Sequence, residues 1–236
     1  MKAIILAGGR GTRLAPYTMV LPKPLVPIGD MPILEVLIRQ LKRCGVDEVI
    51  LTVGHLANLL QAYFSDGSRY GVKITYSLES RPLGTAGPLA LAPRPTESFF
   101  VLNGDVLTTL DMADLLKFHR TANATATIAM HQRKVKIDLG VIQMDGGNRV
   151  AGYIEKPTYD YMVSMGIYVF EPCVIDYITA GQYLDFPDLV HLLLGRQQTI
   201  CGFPYDGYWQ DLGNPGDYEQ ATRDFEHMRA EFLGPD

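Results

Sequence analysis

Apolar residues fall along this chain in two alternating patterns: short unbroken runs, and sets spaced three or four apart. Residues 1–7 are apolar except for Lys2 and stop at Gly8-Gly9, the form of a fully buried strand. Ile33, Leu34, Leu37, Ile38 and Leu41 share one helical face, which Cys44-Gly45 closes. Residues 49–53 predict the next strand, and 56–64 a helix that stops near Asp66-Gly67. Residues 72–76 alternate as a strand, 99–102 form another buried run, and 112–118 repeat as a helix. This alternation predicts βαβ units and a mostly parallel sheet. Right-handed crossovers then align the strand ends, and the loops after them, along one edge. The loop at residues 8–13 and the turn Asn103-Gly104-Asp105 both follow strands, so both belong to that edge.

The second half has another rhythm. Residues 124–130, 140–143, 150–154 and 164–170 read as four strands with few helices between them, and Gly146-Gly147 marks a hairpin turn. They predict an antiparallel or mixed extension. A short helix at 187–194, a strand at 200–203 and a terminal helix at 215–232 follow. No repeat, linker or low-complexity tract interrupts the chain. Residues 1–123 and 124–236 are therefore expected to be two lobes of one domain.

Composition narrows the classes. The 236 residues are 47% apolar and 20% charged, ordinary for a globular domain with a sizeable core. A net charge of −5 offers no basic face for nucleic acid. Cys44, Cys173 and Cys201 are widely separated, and no His pair has metal-ligand spacing, so neither a disulfide framework nor a zinc site is expected. No apolar run approaches the ~20 residues that span a bilayer, and the N-terminal run turns glycine-rich too soon for a signal peptide. A cytoplasmic protein without membrane partners is expected, with homo-oligomerisation left open.

The chemistry concentrates at the predicted edge. After Leu6 and Ala7, the glycines Gly8, Gly9 and Gly11 allow backbone N–H groups to approach phosphate oxygens closely, and Thr12 and Arg13 follow. The loop is not a Walker A motif, because no Lys follows Gly11, nor a dinucleotide fingerprint, because Leu14 stands where the last glycine belongs. Pro22 and Pro24 stiffen the chain around Lys23 and present its ammonium at low entropic cost. Asp105 ends a buried strand beside the phosphate loop, where a carboxylate can hold Mg²⁺ against phosphate oxygens; Asp211, after the only Trp, is the second candidate ligand. Read singly, Asp105 is equally a turn residue and Asp211 a helix cap. Residues 84–89 (Gly-Thr-Ala-Gly-Pro-Leu) permit approach to a flat ring, or form a plain β-to-α turn. Glu155-Lys156 pairs an acceptor for sugar hydroxyls with a phosphate-binding ammonium, or is an exposed charged turn.

Together, residues 6–14, Pro22-Lys23-Pro24, residues 82–92, Gly104-Asp105, Glu155-Lys156-Pro157 and Trp209-Gln210-Asp211 resemble the motifs of sugar-phosphate nucleotidyltransferases. The likeness runs from Met1 to Tyr218, and residues 82–92 look most like mannose-1-phosphate guanylyltransferases. Two features depart from those enzymes: Ser164-Met165-Gly166 replaces their usual Asn-Ala-Gly, and their C-terminal β-helix has no counterpart here. The resemblance implies a Rossmann-like three-layer α/β fold with a mostly parallel mixed sheet and an antiparallel sugar-binding extension. It implies catalytic roles for Arg13 and Lys23. Nucleotide contacts fall to Leu6, Ala7, Gly8, Gly9, Gly11, Thr12, Gly84, Thr85 and Gly104. It assigns the sugar phosphate to Gly140, Glu155, Lys156 and Gly166, and Mg²⁺ to Asp105 and Asp211. The implied reaction joins a nucleoside triphosphate, GTP by preference, to a sugar 1-phosphate with release of pyrophosphate. A UTP- or dTTP-dependent glucose-1-phosphate enzyme and a non-catalytic nucleotide-sugar sensor are the alternatives.

Overall fold

The computed structural model describes residues 1–234. Strand β1 (Lys2–Leu6) lies in the interior of a seven-stranded sheet, and a two-residue hairpin, β2 (Pro27–Ile28) and β3 (Met31–Pro32), leads into α1 (Ile33–Arg43). The chain continues through β4 (Glu48–Val53), α2 (Ala57–Phe64), β5 (Lys73–Leu78), β6 (Phe99–Asn103), β7 (Val106–Thr108) and α3 (Met112–Thr121). Then come β8 (Ala126–Lys136), β9 (Val141–Met144), β10 (Val150–Ile154), β11 (Thr158–Phe170), α4 (Phe186–Gly195), β12 (Ile200–Tyr205), β13 (Trp209–Asp211) and α5 (Pro215–Leu233). The main sheet runs β12-β8-β11-β6-β1-β4-β5, with β11 alone antiparallel to its neighbours.

Three layers follow from the two-residue period of β1. Ile5 points into a core shared with α1, α2 and α3, and Ile4 into one shared with α4; both are fully buried. A strand buried on both faces has no polar face to show, which is why it reads as an unbroken apolar run. A third cluster fastens α5 to α1, with Phe225 stacked on Phe232 at 5.5 Å against Ile33 and Val36.

The second half supplies the expected mixed extension. Strands β8 and β11 pair from Ala126↔Phe170 to Lys136↔Thr158, and β12 adds to β8 in parallel, so they extend the central sheet. The β9–β10 hairpin stands apart from it as an antiparallel arm, and β13 pairs with β7. The outer parts of β8 and β11 escape the hydrophobic pattern because they project into solvent and carry exposed polar residues. Strands β7 and β13 escape it because three residues are too few for any period.

One buried polar group couples α3 to the sheet. His119 is 1% exposed; its Nδ1 meets the Thr127 hydroxyl at 2.8 Å and its Nε2 the Glu171 carboxylate at 3.1 Å. Burial lowers its pKa below the ordinary 6.5, outweighing the opposing pull of Glu171. The unfolded chain therefore takes up this proton first as pH falls, and stability declines below about pH 6.5. Denaturant midpoints measured from pH 7.5 to 5.5 should show that decline, and His119→Gln should flatten it.

Candidate active site

The C-terminal ends of β1, β4, β5 and β6 open into one cavity of about 710 Å³. The glycine loop forms one wall. Gly11 adopts φ +61°, a left-handed conformation that starts the turn Thr12–Leu14 and brings Arg13 to the cavity. A Cβ on Gly11 would come within 2.9 Å of Thr18, whose hydroxyl donates to the Gly11 carbonyl at 2.7 Å. None of the backbone N–H groups from Gly8 to Thr12 donates to an acceptor among the described residues. A run of unpaired amides beside an arginine is an anion cradle.

The opposite wall carries the charges. The segment Pro22-Lys23-Pro24 packs where Gly104 leaves β6; a Cβ on Gly104 would meet the Leu6 carbonyl at 2.8 Å and Pro24 at 3.3 Å. That closeness is why a glycine precedes Asp105. Strand β13 then pairs with β7 in the register Asp211↔Val106, and the Leu212 N–H donates to the Asp105 carbonyl at 3.1 Å. Trp209 locks this ladder, its indole N–H donating to the Met165 carbonyl at 3.0 Å. Two carboxylates 106 positions apart thus converge on one ammonium: Lys23 is ion-paired to Asp105, and its Nζ lies 3.9 Å from Asp211. Burial and the Asp105 charge push the Asp211 carboxyl above its ordinary pKa, against the pull of Lys23 and Arg13.

The far end of the cavity is built by residues 79–88 and 183–185. Gly84, at φ +79°, leaves room for the Leu184 carbonyl, which a Cβ there would approach to 2.5 Å. The Thr85 N–H and hydroxyl donate to Asp185 Oδ1 at 2.9 and 3.2 Å, and the same hydroxyl accepts the Phe186 N–H. Both residues line the cavity, but their close contacts are with the chain itself. Glu79 also faces it, beside Gly8, with the Leu83 N–H donating to its carboxylate at 3.3 Å. Burial pushes the Glu79 carboxyl above its usual pKa range.

Most residues anticipated from sequence line this one cavity: Leu6 to Gly9, Gly11 to Arg13, Lys23, Gly84, Thr85, Gly104, Asp105 and Asp211. Gly140, Glu155, Lys156 and Gly166 do not. Gly140 and Glu155 meet on the hairpin through Tyr153, whose hydroxyl lies over Gly140 and donates to Glu155 at 3.0 Å. Lys156 follows in an exposed turn at φ 45°. Gly166 sits in a bulge of β11 against Asn103, which does line the cavity, and its N–H donates to the Ser164 hydroxyl. Glu79 and Asp185 were missed. Glu79 follows a strand on the same edge, a usable signal; Asp185 reaches Thr85 across 100 residues and left none.

Among the described residues, no group of three His, Cys, Asp or Glu side chains forms a ready metal cage. The Asp105–Asp211 pair still fits Mg²⁺, which takes one or two carboxylates and completes its shell with phosphate oxygens and water.

A glycine loop whose amides are unpaired among the described residues, with an arginine and a lysine over two carboxylates, at the strand ends of a Rossmann-like sheet, makes a cavity that can hold a polyanion. The family model described as Nucleotidyl transferase matches residues 2–228, and the chain belongs to that family. A UTP–glucose-1-phosphate uridylyltransferase of Synechocystis sp. is 38% identical over 94% of this chain and 63% of its own length. Mannose-1-phosphate guanyltransferase of Yarrowia lipolytica is 36% identical over 94% of this chain and 63% of its own length. The chain thus spans less than two thirds of these relatives. The solved structure of HddC from Yersinia pseudotuberculosis superposes with TM-score 0.74 at 26% identity, over 95% of this chain and 99% of that one. It is also known complexed with GMP-PN, at TM-score 0.73 and 25% identity over the same shares. No helix among the described residues is long and apolar enough to cross a membrane.

The raised pKa of Asp211 has a measurable consequence. Its ionised form is disfavoured in the folded state, so at neutral pH the charge costs stability. Asp211→Asn should raise Tm by about 1–2 °C, a figure reduced for solvent screening of this part-exposed group. Calorimetry at pH 7 checks the direction.

Proposed function

We propose that the chain transfers a nucleotidyl group from GTP to a sugar 1-phosphate, mannose 1-phosphate or a related hexose or heptose 1-phosphate, giving a nucleotide-sugar and pyrophosphate. The observation that carries this reading is the convergence of Arg13, Lys23, Asp105 and Asp211 with the glycine loop on one cavity. The names of the guanyltransferase relatives support the substrates.

The sugar phosphate oxygen is anionic at neutral pH, so no activated Ser, Cys or His is needed. That oxygen bonds to the α-phosphorus as the bond to the β-bridging oxygen breaks, and pyrophosphate leaves with the electron pair. The work of the protein is positioning and charge neutralisation. Arg13 and the loop amides hold the triphosphate and the departing pyrophosphate. Lys23 offsets charge at the α-phosphate. Glu155 accepts sugar hydroxyls and Lys156 receives the sugar phosphate. Asp105 and Asp211 would hold Mg²⁺, which when bound neutralises phosphate charge.

Glu79 favours guanine. The Watson–Crick edge of guanine carries adjacent N1–H and N2–H donors, and a carboxylate accepts both; uracil and thymine offer only one N–H there. The second reading is a UTP- or dTTP-dependent glucose-1-phosphate reaction, which the name of the Synechocystis relative supports. A non-catalytic sensor is disfavoured because Arg13, Lys23, Asp105 and Asp211 are all present.

Pyrophosphate release from a panel of nucleoside triphosphates and sugar 1-phosphates tests the reading. GTP with mannose 1-phosphate should lead in kcat/KM, and Glu79→Gln should reduce its lead over UTP by at least about tenfold. A pyrimidine triphosphate preferred by the unmodified protein would favour the second reading, and no turnover with any pair would remove both.

The sugar side has its own test. Lys156→Ala should raise KM for the sugar 1-phosphate about ten- to a hundredfold, the worth of one contact between an ammonium and a phosphate. The KM for the nucleotide should stay nearly constant. Unchanged kinetics in Lys156→Ala would mean that Glu155-Lys156 is only a solvated turn.

A further inference from the structure

The ammonium of Lys23 stands where the metal would have to go. Its side chain is 12% exposed, its Nζ is paired to Asp105, and Asp211 lies 3.9 Å away. The backbone beneath it is held firmly. The Val26 N–H donates to the Lys23 carbonyl at 3.0 Å, and the Leu25 N–H to the Pro22 carbonyl at 2.8 Å. On the other side, Gly11 backs so closely on Lys23 that a Cβ added there would lie 3.1 Å from the Lys23 Cβ. Only the flexible stem of the side chain is left to move. The carboxylates are fixed with equal firmness, since the β7–β13 ladder and the bond from Leu212 to the Asp105 carbonyl set their spacing.

Lys23, with Arg13 nearby, already offsets the charge of the two carboxylates. A divalent ion brought in beside the ammonium would make the site positive and set two cations within contact distance in a part-buried site, which is strongly repulsive. The exchange becomes favourable when a second anion accepts the ammonium. A triphosphate on the glycine loop supplies one, because its oxygens would lie in the same cavity as Lys23. We infer that Lys23 is a resident counter-cation that keeps divalent metal off the Asp105–Asp211 pair until a bound triphosphate draws the ammonium away. The inference rests on the reading of those two carboxylates as metal ligands. Metal and nucleotide then strengthen one another's binding, as reciprocal linkage requires.

The test needs no turnover. Mn²⁺ binding to the full chain without nucleotide is followed by the loss of the free-ion electron paramagnetic resonance signal. Unmodified protein should bind Mn²⁺ weakly. Lys23→Met, which keeps the length of the stem and removes the charge, should bind it at least about tenfold more tightly. Adding Asp105→Asn to Lys23→Met should abolish that gain, which ties it to these carboxylates. Lys23→Gln gives the same comparison if the Met variant does not fold, and circular dichroism checks both. An Mn²⁺ affinity in the lysine variants equal to or weaker than that of the unmodified protein overturns the inference. So does a gain that survives Asp105→Asn. Either result can occur in a protein that releases pyrophosphate normally, so failure here is distinct from failure of the proposed reaction.

Discussion

The parallel pairing of β1 with both β4 and β6 is the constraint on which the site depends. It is closed at the C-terminal end by two backbone bonds, from the Ala7 N–H to the Thr52 carbonyl and from the Gly104 N–H to the Leu6 carbonyl, each 2.9 Å. These bonds bring the glycine loop, the end of β4 and the turn before Asp105 to one level. Parallel strands all leave the sheet in the same direction, so the loops after them share one edge, and that edge becomes the cavity. Burial on both faces fixes the register, because a slip of one residue would exchange Ile4 and Ile5 between their two cores.

On this frame the protein gathers charge in a way that does not serve its stability. Asp105 and Asp211 are like charges held near each other, and Asp211 is part-buried, so its ionised form is disfavoured. Lys23 offsets part of that penalty. Arrangements of this kind are expected where a site must hold polyanions and cations in turn, and the surrounding core must supply the stability the site gives up. The three apolar clusters, with Phe225 and Phe232 holding the terminal helix, are that supply.

The two ends of the cavity differ in construction. The charged end is made from residues adjacent to β1 and β6 and closed by the distant β13. The Gly84–Thr85 end is made by docking one loop on another, with Asp185 taking both donors of Thr85. The hairpin carrying Gly140, Glu155 and Lys156 stands outside both, exposed and joined to the sheet through the ribbon of β8 and β11. A division between a stiff floor and an exposed arm would suit the proposed transfer, which takes up two substrates and releases two products.

Many of the elements and loops are legible in the residues alone, because the features involved are local. Unbroken apolar runs marked β1, β4 and β6, helical spacing marked α1 and α3, and glycines and prolines marked the loop and the segment around Lys23. Such patterns are legible because strand burial and turn geometry act over a few residues. Which distant groups meet depends instead on how the whole chain packs. Asp211 reaches Asp105 through a ladder three residues long, too short to leave a period. Lys23 meets two carboxylates that lie 82 and 188 positions away, a closure that no local pattern encodes. The membership of β8, β11 and β12 in the main sheet was likewise hidden, since strand order depends on pairing between distant segments. Side-chain patterning specifies each element and its buried face; the partner it finds is settled by the packing of the whole chain.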